Sequence, residues 1–144
     1  MKVEIELLSD ITEPYITIHT NSITDEIQKI ISSLETSSNI IIANDDEKMI
    51  ILHPNEIYMV RMENSKVVIY CENNRYLSKK RLFEIGEQLG KEFMQISKSA
   101  FVNLKQIDCI KPYFNGMMNL KLKNGCSEYI SRKYLPEFKK YLGL

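Results

Sequence analysis

Three short clusters of polar and basic side chains are the parts of this sequence best suited to chemistry: Asn64, Ser65 and Lys66; Ser97, Lys98 and Ser99; and Ser131, Arg132 and Lys133. Each joins a cation to hydroxyl or amide groups, the combination that makes phosphate contacts and base-edge hydrogen bonds. One such cluster alone is usually a solvated turn. Three in the same stretch of chain point towards a surface for a polyanion, with Lys79, Lys80, Lys105 and Lys133 as candidate phosphate neighbours.

Other chemistries find little support. His19 and His53 are the only histidines, and neither sits at the spacing of a zinc-binding helix or a Cys/His ligand set. Nucleophile-elbow, Walker A and dinucleotide-binding glycine motifs are missing from the sequence. Glu4 and Glu6 alternate with apolar residues and read as a solvated face, not as a catalytic pair. The expectation is therefore a protein that is not an enzyme and uses no cofactor or metal.

The formal net charge of zero hides an asymmetry. Residues 1–50 carry Lys2, Lys29 and Lys48 against ten acids, a net −7, and residues 51–144 carry the compensating +7. A basic region attracts nucleic acid, the commonest polyanion of the cytoplasm. Equally, the two parts can neutralise one another across an internal interface, and charge alone leaves both readings open.

The elements that must position the clusters follow from periodicity. Val3, Ile5 and Leu7 alternate with Glu4 and Glu6, the period-2 pattern of a strand, and Tyr15–Ile18 suggests a second. Ile23, Ile27, Ile30, Ile31 and Leu34 then recur at helical spacing, with Ser22 or Thr24 as N-cap and Asp25 and Glu26 in the first turn. A strand from Asn39 to Ala43, a turn at 44–47 and an apolar run Met49–Leu52 follow.

Beyond Asn55 the pattern is mostly β. Strands are expected at Ile57–Met62, Lys66–Cys71 and Arg75–Leu77, joined by turns at Glu63–Ser65 and Glu72–Asn74, the second with asparagines suited to positive φ. A helix over Lys80–Leu89 is capped by Gly90, and Phe93–Ile96 resumes the strand pattern. The pairs Asn115-Gly116 and Asn124-Gly125 suit type I′ turns and predict a meander of Ile107–Phe114, Met117–Lys123 and Cys126–Ser131. A short helix, Tyr134–Leu142, tolerates Pro136 in its first turn and stops at Gly143.

These elements make an α+β protein, mostly β, and a chain of 144 residues with 44% hydrophobic and 26% charged residues suits an ordinary globular protein with a real core. The acidic N-terminus lacks the apolar stretch of a signal peptide, and the longest apolar runs, such as Ile40–Ala43, fall far short of a membrane span. Cys71, Cys109 and Cys126 are odd in number and widely spaced, which fits free thiols in a reducing compartment. A cytoplasmic protein is expected.

Several separated pieces occur together in order: Ile57 onward, "QISKSAFVNLKQIDCI" with its Ser97–Ser99 turn followed by Val102-Asn103-Leu104, and "YISRKYLPEFKKYLGL" with Ser131-Arg132 before a terminal helix. Over about residues 50–144 this arrangement resembles the LytTR family of bacterial DNA-binding regulators. The first fifty residues resemble the short β/α extension of small one-component members, and lack the length and acidic cluster of a receiver domain.

The resemblance implies an elongated β fold with short helices, residues 51–144, preceded by a small extension, residues 1–50, for dimerisation or partner binding. It implies double-stranded DNA as the partner, read in the major groove through loops and commonly bent. For the extension, the stripe Ile23, Ile27, Ile30, Ile31 and Leu34 either pairs two copies into a homodimer or packs on the extension's own small sheet, and docking of a membrane-bound regulatory protein is the alternative use of the acidic strand. The expected contacts are Ser65 and Lys66 in an early turn with Asn64 beside them, Lys98 between Ser97 and Ser99, and Arg132 after the last strand with Ser131 and Lys133. Other members carry histidine and asparagine at the positions of Lys66 and Lys98, departures that bear on which bases are read. Ser97, Ser99 and Asn103 either contact DNA or cap the turn that presents Lys98. The alternative function is a protein-interaction module working through the acidic N-terminal part; RNA binding is disfavoured by the lack of aromatic-rich strands that stack bases.

Overall fold

The structure, a computed structural model, describes residues 1–35 and 40–144; the side chains of Leu34 and Glu35, and Asn39 at the start of an expected strand, lie outside the described residues. Two compact units divide at Leu34 and Glu35.

In the first unit, Thr24 caps helix α1 (Asp25–Glu35): its hydroxyl accepts from Ile27 N–H at 3.4 Å and its carbonyl from Gln28 N–H at 2.9 Å. Asp25 and Glu26 occupy the first turn, where the helix dipole favours acids. Ile27 is buried, Ile30 and Ile31 are half-buried, and Ile23 is exposed. The two strands expected upstream do not form. Val3, Ile5 and Leu7 are 80%, 86% and 92% exposed, and residues 3–8 and 15–18 join no ladder. Alternation marks a segment that can be a strand, but a strand needs a partner to satisfy its backbone, and among the described residues it has none.

The second unit is built on a seven-stranded antiparallel sheet in the order β2-β1-β5-β4-β3-β7-β6. Its strands are β1 (Ile41–Asp45), β2 (Lys48–Leu52), β3 (Met59–Glu63), β4 (Lys66–Tyr70), β5 (Arg75–Ser78), β6 (Phe93–Ser97) and β7 (Ala100–Asn103). Helix α2 (Leu82–Leu89) lies between β5 and β6 in sequence. A second sheet, in the order β10-β9-β8, is the predicted meander of β8 (Ile107–Pro112), β9 (Met118–Leu122) and β10 (Ser127–Ile130), followed by α3 (Leu135–Tyr141). Because β1 pairs with β5 through Asn44 and Leu77, residues 41–52 belong to this unit's sheet, and the boundary expected after residue 50 falls inside β2.

Strand alternation sorts the core into two clusters. Met59, Val68, Tyr70, Ile96, Ala100 and Val102 pack with Leu120, Leu122 and Ile130 of the small sheet and with Leu135 and Phe138 of α3. Val60, Val67, Ile69, Ile41 and Ala43 point the other way, to Ile85 and Leu89 of α2. The run Val67–Tyr70 is apolar at every position because β4 is covered on both faces. α2 lies so close that a Cβ on Gly86 would stand 2.5 Å from the Phe101 ring.

Two turns differ from expectation. Asn115 and Gly116 take φ +60° and +73°, but the loop they occupy spans five residues between Pro112 and Met118. At Asn124-Gly125 only the glycine has positive φ, +89°, and Leu122 and Cys126 bond across a three-residue loop. Asn124 is held otherwise: its amide donates to Cys71 O and accepts from Cys126 N–H, at 2.9 and 3.1 Å. The asparagines of 72–74 also stay out of the positive-φ region.

Candidate nucleic-acid interface

Backbone pairing brings the three polar clusters to one end of the large sheet. β3 and β4 join through Asn64 and Ser65, at φ +50° and +66°, the two left-handed residues of a type I′ turn. Asparagine adopts that region readily; for serine it costs roughly 1 kcal/mol, so the tight turn overrides local preference. β3 also pairs with β7 (Arg61 opposite Ala100), and Met62 N–H donates to Ser99 O at 2.9 Å, which sets the Ser97–Ser99 turn beside the first. Ser131 N–H in turn donates to Ile96 O at 2.9 Å, so the chain leaving β10 passes this same turn just before Arg132. β5 ends here too, Ser78 lying opposite Val67, which brings Lys79 and Lys80 to the end that carries Lys66.

At these turns Asn64, Ser65, Lys66, Lys98, Ser99, Arg132 and Lys133 are exposed, and Ser97 and Ser131 are half-buried. Among the described residues Lys66, Lys98 and Arg132 form no ion pair. The stem of Arg132 rests on the β8–β9 loop, where a Cβ on Gly116 would stand 3.4 Å from its Cδ. Lys133 holds its ammonium 5.7 Å from the centre of the Tyr134 ring. Ser97 spends its hydroxyl locally, accepting from Ser99 N–H at 3.2 Å and lying 3.4 Å from the Ser99 hydroxyl, so it shapes the turn that carries Lys98.

Two residues take different places. Asn103 is buried, donating to Ile57 O at 2.9 Å and accepting from Lys105 N–H at 3.0 Å, which makes it a structural clasp. Lys105 follows it at the far end of the β6–β7 hairpin, where its ammonium lies 2.6 Å from Glu92.

Behind the turns stands a charged network the sequence did not announce. Arg61 donates through Nε to Glu63 at 2.6 Å, through Nη1 to Glu128 of β10 at 3.0 Å and through Nη2 to the Tyr70 hydroxyl at 3.0 Å, while Tyr70 donates to Glu63. Burial opposes the Arg61 charge, but hydrogen bonds to Glu128, Tyr70 and Glu63 outweigh it and hold the guanidinium above its ordinary pKa. The Tyr70 hydrogen bond, against the opposing effect of burial and with help from Arg61, holds the Glu63 carboxyl below its usual value. Glu63 adjoins the Asn64–Ser65 turn and Glu128 lies four residues before Arg132, so the network braces the strands beneath two of the clusters. The expected strand ends at Met62 with Glu63 in the turn, which hides the i, i+2 pairing of Arg61 and Glu63 on one face of β3, and Glu128, 67 residues from Arg61, gives no local signal.

Residues 47–143 match the LytTr DNA-binding domain family. The chain belongs to the LytTR DNA-binding family. At 30% identity over 146 residues it is similar to uncharacterised HTH-type transcriptional regulators of two Staphylococcus aureus strains, bovine RF122 / ET3-1 and NCTC 8325 / PS 47, in each case with 100% of this chain and 99% of the relative aligned. A LytTr DNA-binding domain from Bacillus cereus shares the fold, with a TM-score of 0.69 at 22% identity over 74% of this chain and 99% of that one. In the second unit α2 and α3 are separated by five strands, and among the described residues no pair of helices forms a helix-turn-helix.

Proposed function

We infer that this LytTR-family DNA-binding transcription regulator reads a specific duplex through the turns at one end of its large sheet, without a helix in the groove. The gathering of Asn64–Lys66, Ser97–Ser99 and Ser131–Lys133 by the β3–β7 and β10–β6 hydrogen bonds supports this reading. Arg132 reaches a guanine edge, whose O6 and N7 accept two guanidinium hydrogen bonds. Lys66 and Lys98 contact bases or phosphates, with Asn64, Ser65, Ser99 and Ser131 as polar neighbours. Lys133, Lys79 and Lys80 take phosphates, while Ser97 shapes its turn. Fluorescence anisotropy against DNA from the chain's own upstream region, repeated at several salt concentrations, tests the reading. A log-log slope of about −0.9 for each phosphate neutralised is expected. A flat salt response, or equal affinity for any duplex, overturns it.

The acidic extension serves assembly, and a second copy of the chain is its partner on DNA. Its net acidity suits protein better than DNA, and its exposed Val3, Ile5, Leu7 and Ile23 support the reading. The chain works in the cytoplasm, where its DNA lies, and no described helix is long and apolar enough to cross a membrane. Sedimentation of the chain on duplexes with one and two half-sites should show two copies binding cooperatively to the longer duplex. Independent binding there removes the dimer, and association with a membrane-bound regulatory protein in its place assigns the extension to that partner.

A further inference from the structure

The loop on which Arg132 rests carries an aromatic cluster with no role in the core. Tyr113 and Phe114 meet at 4.6 Å between ring centres, and Tyr113 meets Tyr129 of β10 at 4.7 Å. The neighbouring Tyr113 side chain raises the pKa of Tyr129. Tyr113 N–H also donates to Met117 O at 3.0 Å, so backbone and rings both hold the loop in shape. Phe114, at its tip, is nonetheless 63% exposed. Tyr113 and Tyr129 beside it are 41% and 42% exposed, so the three rings form one contiguous apolar patch, the kind of surface that marks a binding site where a single exposed side chain would not.

Three observations identify the occupant. The loop leaves β8 and enters β9 at the end of the small sheet where β10 runs on to Ser131 and Arg132. The Arg132 stem runs past Gly116 so closely that a Cβ there would stand 3.4 Å from its Cδ, so whatever Arg132 grips comes up beside Phe114 two residues away. Finally, Phe114 has no charge to offer a phosphate, whereas the sugar edges and base steps of a minor groove present apolar surface on which such side chains pack. Resting on the DNA-reading assignment above, we propose that the Tyr113–Met117 loop is a fourth DNA contact, in which Phe114 packs into the minor groove flanking the base pair read by Arg132, and Tyr113 and Tyr129 brace it.

The contact is apolar, so its signature differs from that of a lysine on a phosphate. Phe114→Ala should weaken binding on the order of tenfold while leaving the salt slope unchanged. Hydroxyl-radical footprinting, which reads the accessibility of minor-groove sugars, should lose protection only at the few sugars next to the Arg132 contact. Phe114→Leu, still apolar, should restore most of both. Thermal unfolding should match the parent for both variants, because the side chain is exposed. If Phe114→Ala keeps the parent's affinity and footprint while Arg132→Ala loses affinity, the loop contact is wrong and the reading of the three turns survives. If the parent itself prefers no duplex, both fall. Should Phe114→Ala leave DNA binding intact but lower the mass per particle in sedimentation, the patch belongs to a second copy and the proposal is overturned.

Discussion

At one end of the β6–β7 hairpin Lys105 lies against Glu92 and Asn103 is buried with its amide fully engaged; at the other, Lys98 stands exposed on a turn whose shape its neighbouring serines maintain. Arg61 of β3 and Arg132, just beyond β10, repeat the contrast. Arg61 gives its donors to Glu63, Glu128 and Tyr70, whereas Arg132 keeps its guanidinium exposed and anchors only its stem. Formal charge is therefore a poor guide to where a polyanion binds. What separates the two ends is whether a carboxylate already stands within reach, and that depends on strand pairing.

Breaking Arg61 should produce the largest effect, and it should fall on stability. Arg61→Ala leaves Glu63 and Glu128 together without their shared cation; a fully buried pair broken in this way costs 3–5 kcal/mol, and side chains with 20–28% of their surface still exposed should lose about 2–3 kcal/mol. Urea denaturation of parent and variant checks it, and a loss below about 0.5 kcal/mol would remove the brace from the account. The same network predicts a pH dependence. Because the Tyr70 hydrogen bond and Arg61 depress the Glu63 pKa on folding, its contribution is complete above the ordinary carboxylate value of 4.5 and fades as pH falls through the lowered folded value. Urea midpoints measured from about pH 6 down to about pH 3 should fall less steeply in Glu63→Gln than in the parent.

Arg132 sharpens the other side of the comparison. Removing a side chain that reads one guanine should cost about 1–3 kcal/mol of binding and relax preference at one base position, with stability unchanged because the guanidinium supports no part of the fold. Lys133→Ala should weaken all sequences nearly equally and reduce the salt slope by about 1. Competition titrations against a set of single-base substitutions separate the two outcomes. An Arg132→Ala chain that binds its site as tightly as the parent refutes the assignment.

Much of this arrangement was legible before the structure, for identifiable reasons. The meander followed from Asn115-Gly116 and Asn124-Gly125, and α1 from the spacing of its isoleucines, because turn chemistry and helical periodicity are local signals. Val3–Leu8 misled because alternation records only what a segment can pair as; whether a sheet edge lies nearby is a tertiary matter. Asn124 misled for a related reason: its side chain reaches Cys71 O, 53 residues away, and a three-residue loop permits that bond. The polar clusters could be picked out by composition, yet their convergence depended on β7 lying beside β3, and Ala100–Asn103 carries too short a pattern to announce that strand.

The smallest predicted effect tests the comparison most directly. Lys98 and Lys105 have the same charge, lie seven residues apart in sequence and flank the same strand, so sequence-based charge counting treats them alike. Their surroundings do not: among the described residues Lys98 has no ion-pair partner at the end where the turns gather, while Lys105 sits at the far end beside the Glu92 carboxylate. Lys98→Ala should therefore weaken DNA binding by about 1 kcal/mol or more, in the range of a charge-assisted contact. Lys105→Ala should change it by less than about 0.5 kcal/mol and leave the salt slope intact, since an exposed ion pair contributes little even to the fold. Parallel anisotropy titrations of the two variants at low and high salt decide between an ordered interface and a diffuse basic surface. Equal losses mean that the overall positive charge of residues 51–144 attracts the duplex and that the end of the sheet has no special claim on it.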